Sequence, residues 1–251
     1  SQKRLEDGRW RAILSLAAGW LPVLSLILLA LVGRTYQLDQ FPFGIWYDEA
    51  AIGAFARRIL NEPALRPICC EPVTLPSHFT YLVSLSFSLM GVSVIALRLV
   101  SVVWGILAVI FAYLLFRRWF GNLMGWFAAA LLAVLRYHVI WSRLSAGWIT
   151  PPTFELAFLY FLDLALESKQ PRHFVWAGLT LGLSIGFYYP TRLFFVVVFA
   201  YGVLIALAWI IRRWKTRKAT TASRMSAGAL AKNTALLGSV FILSGIIGGM
   251  P

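Results

Sequence analysis

Asp48 and Glu49 stand side by side in the stretch Phe41-Pro-Phe-Gly-Ile-Trp-Tyr-Asp-Glu-Ala-Ala-Ile-Gly, just past the first long apolar run of the chain. Acids are scarce here: 10 Asp and Glu face 23 Lys and Arg, and 60% of the residues are hydrophobic. An acidic pair in such surroundings has two physical uses. One is general base chemistry, in which a carboxylate takes the proton of a reacting hydroxyl. The other is a helix start, where first-turn acids meet the positive end of the helix dipole. Around this pair, Arg57, Arg58, Arg143 and Arg192 are cations that suit a developing anion, with His78 and Tyr189 as further hydrogen-bond donors. Arg192 leads that group, because Pro190-Thr-Arg fills a short hairpin between two apolar runs where little else is polar. Arg57 and Arg58 suit lipid headgroups better than a leaving group.

The elements that must position these residues are membrane helices. A mean hydropathy of +0.76, with 11 Trp and 18 Phe, exceeds what a water-soluble core of this size houses. The apolar runs are continuous rather than alternating, which favours helices over a barrel, the two structures that satisfy their backbone in lipid. A net charge of +13 invites a nucleic-acid reading. The charges gather at the ends of apolar runs, however, as topology signals do. The lipid bilayer is therefore the expected partner and nucleic acid is not. The spans expected are Ala12–Val32, Ile95–Phe116, Leu123–Trp141, Phe154–Leu166, Phe174–Tyr189 and Leu193–Ile211, and a last one begins near Thr234. Phe79–Met90 is too short to cross and reads as an interfacial or re-entrant helix.

Charge fixes the orientation. With Phe79–Met90 not crossing and the N-terminus cytoplasmic, the inner segments carry 15 of the 23 basic residues, and the largest group lies at 212–232. This predicts a multi-pass protein of the plasma (inner) membrane, all-α, with about seven spans. Residues 12–32 form the first span and act as a signal anchor. Residues 33–94 form a long first outer loop, and 95–251 hold the remaining spans. The whole of 1–251 reads as one transmembrane domain, the N-terminal part of a longer protein. A loop as long as 33–94 is usually functional. Within it, Ala50–Leu60 has the spacing of an amphipathic juxtamembrane helix. Further outer loops are expected at Ser142–Thr153 and Tyr188–Arg192. Arg98 is expected to anchor a helix end by snorkelling, and Arg136 and His138 suit packing or a site equally. Most Trp residues near span ends, Trp141 and Trp148 among them, read as an interfacial belt.

The order of motifs carries a resemblance. After the first span come Asp48-Glu49 and an amphipathic helix, then Gly91-Val-Ser-Val-Ile-Ala-Leu-Arg98-Leu-Val-Ser101, Tyr113-Leu-Leu-Phe-Arg-Arg-Trp-Phe-Gly121 and Trp141-Ser-Arg143. Over about residues 10–210 this resembles the N-terminal half of the C-type (GT-C) polytopic glycosyltransferases. Within them it is most similar to bacterial relatives of protein O-mannosyltransferases and lipid A aminoarabinose transferases. The resemblance implies transfer of a sugar from a polyprenyl-phosphate carrier to an acceptor at the outer face, with inversion. It implies a catalytic acid in the first outer loop; the chemistry assigns Asp48 as that general base and Glu49 as its orienting partner, and Trp46 and Tyr47 beside them suit stacking on a sugar ring. Some members of that superfamily hold a divalent cation between outer-loop carboxylates. Here Ala146-Gly-Trp-Ile stands where many relatives have an acid, so no metal or other cofactor is assigned. Cys69, Cys70, Glu71 and His78 match no zinc spacing either. The missing acid favours a second reading, a non-catalytic subunit that uses this scaffold to assemble with other membrane protein subunits. A transporter is a weaker third, since no paired ionisable groups lie at mid-membrane and no repeat is evident.

Overall fold

A computed structural model describes residues 21–62, 64–68 and 76–217, with side chains through residue 212. Among these residues the regular elements are helices and there is no strand. The helices are α1 (Leu21–Thr35), α2 (Tyr47–Asn61), α3 (His78–Met90), α4 (Val94–Phe120), α5 (Asn122–Val134), α6 (Arg136–Ser142), α7 (Thr150–Ser168), α8 (Pro171–Phe187) and α9 (Arg192–Arg217). The helical runs Val94–Phe120, Gly147–Ser168 and Tyr189–Arg212 are each long and apolar enough to cross a bilayer. A fourth candidate is α5 with α6, bent by 61° between them. The protein is thus a helical membrane protein, and its described residues supply three or four of the expected seven spans. Residues 12–20, the stretch from Thr234 and the cluster Cys69, Cys70 and Glu71 lie outside the described residues.

The helix ends follow local chemistry. α4 begins at Ser93, whose hydroxyl accepts the Ala96 N–H at 3.2 Å. It closes on Arg117, Arg118 and then Gly121 at φ 89°, a left-handed conformation that glycine alone adopts freely. Its 27 residues span about 40 Å, more than the bilayer core. By contrast α3, with 13 residues, reaches only about 20 Å. α8 carries Pro171 in its first turn, where the missing N–H costs nothing.

Two compact units divide the chain, the first holding most of the residues up to Leu156 and the second those from Ala157 together with the short segments 67–70 and 74–78. In the first, α1, α4 and α5 meet through Leu26, Ala30, Val109, Tyr113, Ala129 and Ala133. Three of those six are alanines, which lets the helix backbones approach as membrane packing requires. Gly125 goes further: a Cβ there would lie 2.8 Å from the Arg117 backbone nitrogen. In the second unit, Phe158, Ala177 and Leu181 form a core flanked by Phe161, Phe194 and Phe195. The α9 side chains Val196, Val197, Phe199 and Leu204 stay exposed, as on a lipid-facing surface.

Candidate functional site

The acidic pair lies inside α2 rather than ahead of it. Trp46 is the N-cap residue, in extended conformation, and no side chain caps this end. Asp48 and Glu49 occupy the first turn and complement the helix dipole. Their fates then separate. Glu49 is 2% exposed. Its Oε1 accepts from Arg98 Nε at 2.8 Å and from the Ser145 N–H at 3.0 Å, and its Oε2 accepts from Arg98 Nη2 at 3.0 Å. Asp48 is half-buried and makes no hydrogen bond or ion pair with any described residue. One carboxylate is locked and the other is available.

Arg98 overturns the snorkelling expectation. It is completely buried in the second turn of α4. Besides its bidentate grip on Glu49, it donates to the carbonyls of Leu38 at 2.9 Å, Pro42 at 3.1 Å and Gly44 at 2.6 Å. These contacts use all five donors of a guanidinium. Snorkelling needs water or headgroups within reach; here the chain folds its own acid and carbonyls around the cation instead.

Two more buried arginines complete the scaffold. Arg143 donates to the carbonyls of Gly33 at 3.0 Å, Tyr36 at 2.7 Å, Gln37 at 3.1 Å and Phe41 at 2.9 Å. Burial, and then the nearby Arg98 charge, draw its guanidinium below the usual arginine range. Arg34 is completely buried. It donates to the carbonyls of Ala30, Ala133 and Leu132, to Ser142 Oγ at 3.2 Å and to His138 Nδ1 at 2.8 Å. Leu132 and Ala133 lie in the last turn of α5, where helical carbonyls lose their partners. Arg34 therefore satisfies the break at Leu135. It also fixes the His138 tautomer: Nδ1 must accept, so the proton sits on Nε2, which has no partner among the described residues.

Aromatic rings gather beside Asp48. Trp46 lies 6.0 Å from Trp141, near-parallel, and 5.8 Å from Trp148, edge-on. Trp141 and Trp148 are 4.7 Å apart, and Tyr137 meets Trp141 at 5.8 Å. Trp141 and Trp148 therefore pack on Trp46, two residues ahead of Asp48. Tyr47 is exposed and stands outside this cluster.

The other expected residues are spread out. Arg58 pairs with Glu62 at 3.4 Å and lies over the Phe55 ring. Arg57 is exposed and has no partner among the described residues, on the wall of a groove formed with α3 and the start of α4. Arg136 is exposed, whereas His138 is buried. In the second unit, the Arg192 guanidinium lies 4.6 Å over the Tyr189 ring. His78 packs its ring against Gly186 and Phe187, at 5.7 Å between the two ring centres. Burial lowers the His78 pKa below 6.5, against a smaller opposing effect from its hydrogen bond with the Gly186 backbone. Among the described residues no three of His, Cys, Asp and Glu are placed to share a metal ion.

Sequence reasoning missed Arg34 and the partner of Arg98. The signal was present: a cation inside an apolar helix demands an acid or a set of carbonyls. Acids are so few here that Glu49 was an obvious choice.

Residues 75–236 match the profile of the dolichyl-phosphate-mannose-protein mannosyltransferase family. The match takes in Arg98, Arg143, Arg192 and both Trp141 and Trp148, and starts downstream of Asp48. Neither a curated protein nor a solved structure matches the chain significantly.

Proposed function

Because the chain belongs to the dolichyl-phosphate-mannose-protein mannosyltransferase family, a family of membrane glycosyltransferases, we propose that it transfers a sugar from a polyprenyl-phosphate carrier to a hydroxyl acceptor at the outer face of the plasma membrane. Mannose, the sugar in the family's name, is the first donor to test. The N-terminus is cytoplasmic in this reading, which rests on the distribution of basic residues.

The observation that carries the reading is the division of labour within the acidic pair. A base must be free to take a proton and must be held where the acceptor arrives. Asp48 has no partner among the described residues, while its neighbour Glu49 is tied to Arg98 and the Ser145 N–H. In the proposed step, the acceptor oxygen attacks the anomeric carbon from the face opposite the phosphate, and its proton passes to Asp48. The carbon–oxygen bond to the carrier breaks with inversion, and the phosphate leaves with the electron pair. Trp46, Trp141 and Trp148 supply apolar faces for the sugar ring. Glu49 is a positioning residue, since both its oxygens are occupied. Arg192, on the sequence reading, is the cation for the leaving phosphate.

The test is transfer from a polyprenyl-phosphate sugar by the purified full-length protein. Asp48→Asn is expected to lower kcat by about 10²–10⁴-fold while leaving donor binding near the wild-type level. Wild-type turnover in that variant would remove Asp48 from the mechanism. Absence of transfer by the wild type with every donor, together with stable co-purification of other subunits, would favour the scaffold reading.

A further inference from the structure

We propose that the groove bearing Arg57 is a seat for an anionic bilayer phospholipid, separate from the place where sugar is transferred. The groove has a volume of about 380 Å³, at the small end of the roughly 300–1,000 Å³ typical of ligand sites. Ala50, Gly53 and Ala54 of α2 give it a floor without bulky side chains, and Phe87 of α3 and Leu97 of α4 supply apolar walls. Among the described residues no acid lines it. Its one charged group is the Arg57 guanidinium, exposed and without a partner among the described residues. Arg58 next door is different, being paired with Glu62 outside the groove.

Charge complementarity defines the occupant. An apolar trough ending in an exposed arginine suits a molecule with a hydrocarbon chain and an anionic oxygen-rich head. A phosphate-headed lipid has both parts. The geometry of α2 then distinguishes a resident phospholipid from the sugar carrier. Nine residues separate Asp48 from Arg57, a rise of about 13.5 Å and a rotation of about 900°, which is half a turn beyond two full turns. The two side chains therefore leave α2 on opposite faces. In a sugar phosphate, a single oxygen links phosphorus to the carbon under attack, so the cation that receives the leaving phosphate must open on the same cavity as the base, across that carbon from it. Arg57 does not. The separation of the two sites rests on Asp48 being the base; the groove's affinity for lipid does not.

Native mass spectrometry of the full-length protein, titrated with phosphatidylglycerol in one arm and with polyprenyl phosphate in the other, tests the assignment. One bound phosphatidylglycerol should bind about tenfold more weakly in Arg57→Gln, be lost in Ala54→Trp, and persist in Arg57→Lys. Polyprenyl phosphate binding should be the same in all three. Equal phosphatidylglycerol retention in Arg57→Gln and Ala54→Trp would overturn the proposal. So would a loss confined to polyprenyl phosphate, which would give the groove to the carrier. Ala50→Leu replaces Ala54→Trp if the latter elutes as aggregate. Failure of Asp48 as base would appear separately, as transfer surviving in Asp48→Asn with the lipid titrations unaltered.

Discussion

The residue scale is set by Arg98, because its five donors join an acid on α2 to three carbonyls of the segment that leads into α2. Removing it strands a buried carboxylate, and breaking one side of such a pair costs about 3–5 kcal/mol. Arg98→Met should therefore lower thermal stability sharply, and Glu49→Gln rather less, since an amide keeps much of the shape. The double variant should be less destabilised than the sum of the singles, with a coupling of about 1–3 kcal/mol in a denaturation cycle. Arg98→Lys separates structure from function. It keeps the charge, but a lysine offers three donors from a single point and cannot serve both carboxylate oxygens and three carbonyls. A melting temperature near the wild type with a much reduced kcat and a nearly unchanged KM would identify Arg98 as positioning Asp48. Equal losses of stability and activity would reduce it to a structural strut.

At the scale of elements, the break between α5 and α6 is the feature with the most at stake. The stretch Leu123–Trp141 reads as one span because it holds no proline and is apolar up to Leu135. The structure bends it by 61°, and the reason lies about a hundred residues upstream. Arg34 takes the carbonyls of Leu132 and Ala133 that the bend releases, so the bend leaves them no unsatisfied group in an apolar interior. Arg34→Leu should straighten or unfold this region. Hydrogen exchange at residues 131–139 should then rise while α8 and α9 keep their protection; equal exchange in both proteins would mean that Arg34 does not hold the bend. The contrast with α2, α3 and α4 explains what was legible. Those helices announce themselves by apolar spacing, by Ser93 and by Gly121, all local signals. The acidic pair was legible by scarcity alone. The Glu49–Arg98 pair, the Arg34 cap and the tryptophan cluster depend on contacts across 49 to 108 positions, which periodicity cannot encode.

For the whole molecule, the relevant observable is stability against pH. His78, outside the spans, is a histidine whose burial shifts its titration with a clear sign. Its pKa in the folded protein lies below 6.5, so the folded state prefers the neutral ring. The associated stability is fully present above about pH 6.5 and is lost as pH falls toward the folded value, where the unfolded chain binds the proton first. The melting temperature should therefore decline on acidification below that point, and His78→Gln should flatten part of the decline. An unchanged slope in the variant would assign acid sensitivity to other groups. Gly186 constrains the same contact, because a Cβ there would lie 2.6 Å from the His78 ring.

Arg143 has one more consequence. Its contacts with residues 33, 36, 37 and 41 go to carbonyl oxygens, which every amino acid presents alike. The contour of that loop is thus stored in a residue a hundred positions away. Substitutions at 33, 36, 37 and 41, though not at Arg34, can accumulate while the shape persists, whereas one change at position 143 would erase it. Kinship sought in the loop's own letters would overlook a form that its backbone still keeps.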